Sequence, residues 1–429
     1  MPGVSQAPEI TAGILVTGNE VLNGVIRDEN GPWLSRELAD MGIRVEEILL
    51  VPDRLESLLA GLHQLGERKV DLIVTTGGLG PTADDKTAEA AAAFTGRELK
   101  LDQSMEAKIA AILARYAKAR GTKGSSEALD EANRKQAMVP EGARPLDPVG
   151  TAPGLIIPAE DNPLVVVLPG PPRELRPMWT VVRDDPAMVD LQERAGDLET
   201  YRLRVFGTPE SELALALREL EGDGLEIEDL EVTTCLRKGE LEIDVRYRPD
   251  QEPTADSLRE GLVTRFPESL FSRDGETIDE IVARLLQGRT LAVAESCSAG
   301  LLAARIASRP GASEYFAGGV VSYSNAAKTE LLGVPAALIE SKGAVSNEVA
   351  EAMAAGARER FDADVSVAIT GVAGPGGGTT EKPVGYVCFN ATAEGSPSIS
   401  RDPVIPGGRN TIRERSALVA MHLLRVLLS

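Results

Sequence analysis

A run of apolar residues stops at a glycine-rich turn in Asp71-Leu72-Ile73-Val74-Thr75-Thr76-Gly77-Gly78-Leu79-Gly80-Pro81-Thr82. Asp71 to Thr75 reads as a buried strand, and Thr87 to Phe94 beyond the turn as a helix. Upstream, Ile14-Leu15-Val16 reads as a strand, Trp33 to Met41 as a helix stopped by Gly42, Val45 to Val51 as a strand and Leu55 to Leu65 as a helix. Downstream, Leu164 to Leu168 runs into Pro169-Gly170-Pro171-Pro172 as one more buried strand. Strands separated by helices require crossovers and hence a parallel sheet, because tight hairpins cannot join parallel neighbours. A three-layer α/β domain over about Ile10 to Met178 is expected.

The pattern then changes. Tyr201 to Phe206 and Glu240 to Tyr247 alternate apolar with polar residues, as half-exposed antiparallel strands do, with a helix from Pro209 to Leu220 between them. The Asp250-to-Asp256 stretch reads as a return loop, and the acidic run Glu219 to Glu231 as a solvated face. After Gly275 the strand–helix alternation resumes. Helices are expected at Ile278 to Leu286, Gly300 to Ser308, Asn347 to Arg360 and Arg413 to Leu428. Strands are expected at Thr290 to Ala294, Val320 to Tyr323, Asp364 to Ile369 and Gly385 to Ala391. The fold class is α/β: two three-layer α/β domains, 1–178 and 259–429, joined by a small α+β module, 179–258.

Composition narrows the chemistry. A formal net charge of −21 opposes direct nucleic-acid binding, because phosphate neutralisation supplies most non-specific affinity. Cys235, Cys297 and Cys388 form no CxxC pair, which speaks against structural zinc and disulfides. Met1 to Ile10 has neither a basic nor an apolar leader pattern, and no apolar run reaches the roughly 20 residues of a membrane span. A cytoplasmic location and no membrane partner are expected. With two histidines in the chain, a Ser–His–Asp triad or a His-ligated metal lacks its usual material. Chemistry must come from Ser, Thr, Lys, Arg, Asp and Glu.

Three constellations can supply it. In Ala294-Glu295-Ser296-Cys297-Ser298-Ala299-Gly300, a serine at a strand-to-helix junction stands where free helix amides would favour developing negative charge; the plainer alternative is an N-cap serine. In Ser322-Tyr323-Ser324-Asn325-Ala326-Ala327-Lys328, Asn325 is the expected helix cap and Lys328 falls in the first turn. The helix field, with burial, would depress the lysine pKa toward that of a general base, and Ser–Lys then performs what Ser–His does elsewhere. The third is Ile369-Thr370-Gly371-Val372-Ala373-Gly374-Pro375-Gly376-Gly377-Gly378, neither GxGxxG nor a P-loop, with Arg409 beyond Gly407-Gly408 as a phosphate partner.

Together these motifs resemble the C-terminal domain of the CinA family, from about Glu276 to the end. Ser298-Ala299 stands where that family usually has Thr-Gly. The resemblance implies deamidation of nicotinamide mononucleotide to nicotinate mononucleotide and ammonia, with no cofactor. It implies Ser296 as nucleophile, Lys328 as base, Tyr323 and Thr370 assisting, and Arg409 holding the nucleotide. Cys297, Ser324, Asn325, Gly371, Gly374 and Gly376 complete the implied substrate site.

The N-terminal half is also similar to the CinA family. Gly18-Asn19-Glu20, the Gly77-to-Thr82 turn, Asp84-Asp85-Lys86-Thr87, Asn133-Arg134-Lys135-Gln136-Ala137 and Gly170-Pro171-Pro172-Arg173-Glu174 carry the likeness. It implies the fold of molybdopterin-binding proteins and a divalent-metal-dependent ADP-ribose pyrophosphatase. Asp85, with Asp84, is the expected metal residue, although one of the two is as readily a helix cap. Gly78, Gly80, Thr82, Lys135 and Arg173 are expected at the substrate. The family's middle module resembles a KH-like fold, but Thr200 to Pro249 has no GxxG loop with basic flanks, which argues against RNA binding. The resemblance favours a homodimer. The alternatives are a molybdopterin-binding or molybdenum-cofactor protein, and a non-catalytic regulator of DNA uptake or repair.

Overall fold

The computed structural model describes residues 10–120, 127–158, 163–237 and 239–429. The opening residues 1–9, from which the lack of a leader was read, lie outside the described residues. Two compact units divide the chain, Met1–Leu198 and Glu199–Ser429. Among the described residues no helix is long and apolar enough to cross a membrane.

In the first unit, strands Arg44–Val51, Thr11–Thr17, Leu72–Thr76 and Leu164–Leu168 lie side by side in that order, all parallel. Gly154–Ile157 and Arg144–Leu146 extend the sheet antiparallel. Leu34, Leu38, Met178 and Trp179 pack on one face, from helices Asn30–Asp40 and Pro172–Arg183. Leu58, Leu62 and Ala90 cover the other, from Leu55–Glu67 and Thr87–Phe94. This is the expected three-layer arrangement. It continues past Met178, because helix Pro186–Ala195 also buries Met188 and Leu191 against the same core. The strands at residues 144–157 were not legible, being short and flanked by polar turns.

The second unit opens with an antiparallel sheet, Glu231–Arg237, Glu240–Tyr247, Glu199–Phe206 and Leu270–Ser272 in order. Helices Glu210–Gly222 and Glu252–Arg265 share its core. The second helix corrects the reading of 250–256 as a return loop. Pro253 sits in its first turn, where a missing N–H costs nothing, and Ala255, Leu258 and Leu262 form a buried stripe.

A second sheet in this unit runs Phe316–Val321, Leu291–Glu295, Val365–Gly371, Val387–Ala393 and Ile399–Arg401. The first three strands are parallel and the last two antiparallel. Helices Ile278–Leu285, Leu301–Ala307 and Arg409–Leu428 supply the core on one face. Helices Asn325–Leu332, Ala336–Lys342 and Asn347–Phe361 supply it on the other. The chain is therefore an α/β protein with the layers anticipated from its pattern.

One glycine sets how closely two of these helices approach. A Cβ at Gly356 would lie 1.9 Å from the Leu332 carbonyl oxygen. Helix Asn347–Phe361 can thus lie against the end of Asn325–Leu332 only without a side chain there. Gly356→Ala is expected to lower the stability of this unit by roughly 2–3 kcal/mol, because backbone must shift to relieve the overlap. The check is the denaturant midpoint, and an unchanged midpoint would show that the contact is not tight.

Candidate active site

The site of the second unit is built where its parallel strands end. Leu291–Glu295 is fully buried and delivers Ser296, whose amide donates to the Ile369 carbonyl at 2.9 Å. Phe316–Val321 ends one residue before Ser322, and the chain turns into helix Asn325–Leu332. Its cap is Ser324, whose hydroxyl accepts the Ala327 amide at 3.1 Å; Asn325 is its first residue and not the expected cap. Lys328 lies on the inner face of this helix and is only 1% exposed.

The lysine reaches the serine. Lys328 Nζ lies 2.9 Å from Ser296 Oγ and donates to the Ser322 carbonyl at 2.8 Å. A neutral amine has two N–H groups and one lone pair, so it can donate to that carbonyl while accepting the serine proton. Burial pushes the Lys328 pKa down from its ordinary value, against a smaller upward pull from Cys297. Burial disfavours the ammonium form, and no carboxylate pairs with this amine among the described residues. The Cys297 thiol is pushed up to about 11 by burial and packs in the core, which leaves its backbone as the part bearing on the site. Ser298 and Ser322 are buried with hydroxyl oxygens that have no hydrogen-bond partner among the described residues.

The helix after Ser296 does not offer its amides to a substrate. It begins at Leu301, with Gly300 as its cap. Glu295, 1% exposed, accepts the amides of Gly300, Leu302 and Ala303 at 2.9, 3.1 and 2.8 Å. That corrects the expectation of free helix amides, and Ser296 is not an N-cap either. The amides of Cys297 and Ser298 are the ones left without an oxygen acceptor among the described residues; only the weakly accepting Cys297 sulfur is near them.

Thr370, 1% exposed, donates its hydroxyl to the Ala344 carbonyl at 2.8 Å and so ties the end of strand Val365–Gly371 to the loop at Ala344, with no bond to the dyad among the described residues. Tyr323 is 57% exposed, and its hydroxyl accepts from Arg409 Nη2 at 2.9 Å. Arg409 Nη1 donates to the Gly374 carbonyl at 2.6 Å. Tyr323, the glycine loop and Arg409 are therefore joined. Gly374, at φ 76, admits no Cβ beside Val384, and Gly371 none beside Val387. Gly376 is in open space. Arg413, which the motif reading passed over, donates to the carbonyls of Cys297 and Ser298 at 3.1 Å each. Its spacing of four from Arg409 was the available signal, since such residues share a helix face.

In the first unit, Gly77 and Gly78 have φ 102 and 64, and a Cβ on either would collide with Thr17 or Thr87. The Thr82 amide donates to Asp85 at 2.8 Å, and its hydroxyl reaches both Asp84 and Asp85. Neither aspartate caps the following helix, whose cap residue Lys86 makes no side-chain cap bond. The Thr82 hydroxyl holds the Asp84 carboxyl below its ordinary range. A Cβ at Gly80 would lie 2.5 Å from the Asp85 carboxylate, so the turn and that carboxylate are in contact. Lys135 donates to the Thr82 carbonyl. Arg173 extends into solvent with its side chain 86% exposed. Among the described residues no three His, Cys, Asp or Glu are grouped to hold a metal ion. Two carboxylates and a hydroxyl are a hard-oxygen set that fits a divalent cation keeping waters and substrate phosphate oxygens, and not a cage made by protein alone.

The fold and sites define an α/β protein with a buried serine–lysine dyad in one unit and a glycine turn at parallel strand ends in the other. Residues 275–428 match the family model described as CinA C-terminal domain, and residues 13–186 the one described as "Probable molybdopterin binding domain". The CinA-like protein of Mycolicibacterium paratuberculosis (strain ATCC BAA-968 / K-10) is 54% identical, covering 97% of this chain and 98% of its own. That of Mycobacterium leprae (strain TN) is 51% identical, covering 97% of each. Among solved structures, the competence/damage inducible protein CihA from Agrobacterium tumefaciens is 36% identical, with TM-score 0.34, over 35% of this chain and 96% of its own. The chain belongs to the CinA family.

The protonation state of Lys328 gives a direct check. Only the neutral amine accepts a proton, so serine reactivity is expected to rise with pH through the depressed lysine pKa and level off above it. Covalent labelling of Ser296 by a serine-directed fluorophosphonate, followed against pH, should show a midpoint below the ordinary lysine value. Lys328→Arg should be nearly inert, because guanidinium keeps its proton. A midpoint in the ordinary range would remove Lys328 as the base.

Proposed function

We propose that the second unit hydrolyses the carboxamide of nicotinamide mononucleotide to nicotinate mononucleotide and ammonia. The observation that carries this reading is the 2.9 Å contact between Ser296 Oγ and the buried Lys328 amine, whose pKa burial lowers. Ser296 attacks the carboxamide carbon while its proton passes to Lys328. The –NH2 nitrogen of the intermediate takes that proton from Lys328 as its bond to carbon breaks, leaving as ammonia and giving an acyl-serine. Water, deprotonated by the same amine, attacks the acyl carbon, the bond to Ser296 Oγ breaks, and Lys328 returns the proton to Oγ as the acid leaves. The amides of Cys297 and Ser298 receive the developing oxyanion, a role that preorganised donors fill at no cost in reorganisation. Arg409, exposed at the helix start and tied to Tyr323 and Gly374, holds the phosphate. The substrate itself is inferred from membership in the CinA family together with this dyad.

The test is ammonia release from nicotinamide mononucleotide by the full chain. Ser296→Ala should lose at least about 10³-fold in kcat, the usual scale for removing a nucleophile that acts as a unit with its base. Equal release by both proteins, or none by the wild type, would reject the reading.

A second activity is favoured by the Thr82–Asp84–Asp85 cluster beside the Gly77-Gly78 turn. We propose that it cleaves ADP-ribose. Asp84 and Asp85 would hold a divalent cation, which supplies neutralisation of the pyrophosphate charge. Gly77 and Gly78 let the backbone approach the phosphates, and Lys135 keeps the turn closed through Thr82. Chelation is expected to abolish ADP-ribose cleavage while leaving ammonia release unchanged. Equal loss of both would refute two independent sites.

A further inference from the structure

The terminal helix Arg409–Leu428 brings two arginines to the serine–lysine site, one turn apart. Its first turn has no acidic residue, and cations at a helix N-terminus are unfavourable, so the helix itself does not explain them. Arg409 engages the glycine loop and Tyr323. Arg413 engages the turn that follows the nucleophile. Its Nε donates to the Cys297 carbonyl and its Nη2 to the Ser298 carbonyl, both at 3.1 Å.

That turn needs holding. Ala299 has φ 51 and Gly300 φ 92, two successive left-handed residues, the first of which pays a steric penalty for its Cβ. The turn's internal bonds are the Ala299 amide to the Ser296 carbonyl at 3.1 Å and the long one from Leu301 to Ser298 at 3.4 Å. The Cys297 carbonyl and the Ser298 N–H are opposite ends of one peptide unit. A guanidinium on the carbonyl fixes the plane of that unit and polarises it, which makes its N–H a better donor. This N–H and that of Cys297 have no oxygen acceptor among the described residues.

We propose that Arg413 is a positioning residue for Ser296, clamping the Cys297 and Ser298 carbonyls so that the amides of the same turn stay directed at the oxygen that becomes negative in the transition state. Arg413 touches no reacting atom. It acts through the turn, and the inference rests on, and deepens, the serine-hydrolase reading above.

The experiment uses the full chain, with Arg413→Gln and Arg413→Lys beside the wild type. The first readout is the labelling rate with a fluorophosphonate. In that step the Ser296 Oγ–P bond forms as P–F breaks, fluoride leaves, the hydroxyl proton passes to Lys328, and negative charge builds on the phosphoryl oxygen. The second is kcat and KM for nicotinamide mononucleotide, and the third the melting temperature. Arg413→Gln is expected to slow labelling and kcat by about 100-fold, the scale of a misplaced reacting geometry or a lost oxyanion donor. KM should stay within about twofold and the pH midpoint of labelling should not move. Arg413→Lys, a single point donor unable to bridge both carbonyls, should lose about tenfold.

Wild-type labelling by a variant that melts like the wild type overturns the proposal. So does a loss confined to KM, which makes Arg413 a substrate contact, or a moved pH midpoint, which makes it act on Lys328. Should Arg413→Gln fail to fold, Arg413→Lys decides. A wild-type protein that is labelled but releases no ammonia rejects the substrate and leaves the Arg413 comparison intact on labelling. One that resists labelling rejects both.

Discussion

The amine of Lys328 is kept out of water, and much of the second unit is arranged to make that tolerable. Burial disfavours the ammonium form and lowers the lysine pKa, and one N–H is held by the Ser322 carbonyl. The remaining lone pair has Ser296 in reach. Burial lowers the pKa of this lysine below that of a surface one, and burial is a property of the packing around helix Asn325–Leu332.

Three pieces of the second unit converge to hold that geometry. Leu291–Glu295 supplies Ser296 from the middle of the sheet, where hydrogen bonds on both sides leave it little freedom. Gly356 allows the helix carrying Lys328 to sit against its neighbour. Glu295 satisfies the start of helix Leu301–Ala307 from within, which frees the serine turn from acting as a cap. The terminal helix closes the arrangement through Arg409 and Arg413. Farther along it, His422 is buried against Glu240 and stacked on Phe206, so the same helix is anchored in the antiparallel sheet of this unit. Burial lowers the His422 pKa, which keeps that histidine a packing group.

The first unit uses a different economy. Its glycine turn is shaped by collisions avoided, at Gly77 against Thr17 and at Gly78 against Thr87, and its charges remain at the surface. Exposed aspartates beside a hydroxyl bind a cation only weakly without further oxygen ligands. The two proposed reactions therefore draw on opposite environments, one needing a dry amine and the other an accessible anion site.

Much of this was legible in the chain. The apolar runs ending in glycine at Thr76 and Ile369 marked buried strands and their exits, because only such strands are apolar on both faces. The shortage of histidine directed attention to Ser296 and Lys328, 32 positions apart. Residues 250–256 misled because proline and acidic residues suit a loop and a helix's first turn alike. Left to tertiary structure was everything that depends on distance between separate elements: that the amine meets the hydroxyl, that Glu295 takes the helix amides, and that Thr370 is spent on Ala344 while Arg413 seizes the serine turn. Local pattern is set by backbone and side-chain preferences within a few residues. Which polar group finds which partner is decided only when packing brings distant segments together and removes the water that would otherwise satisfy them.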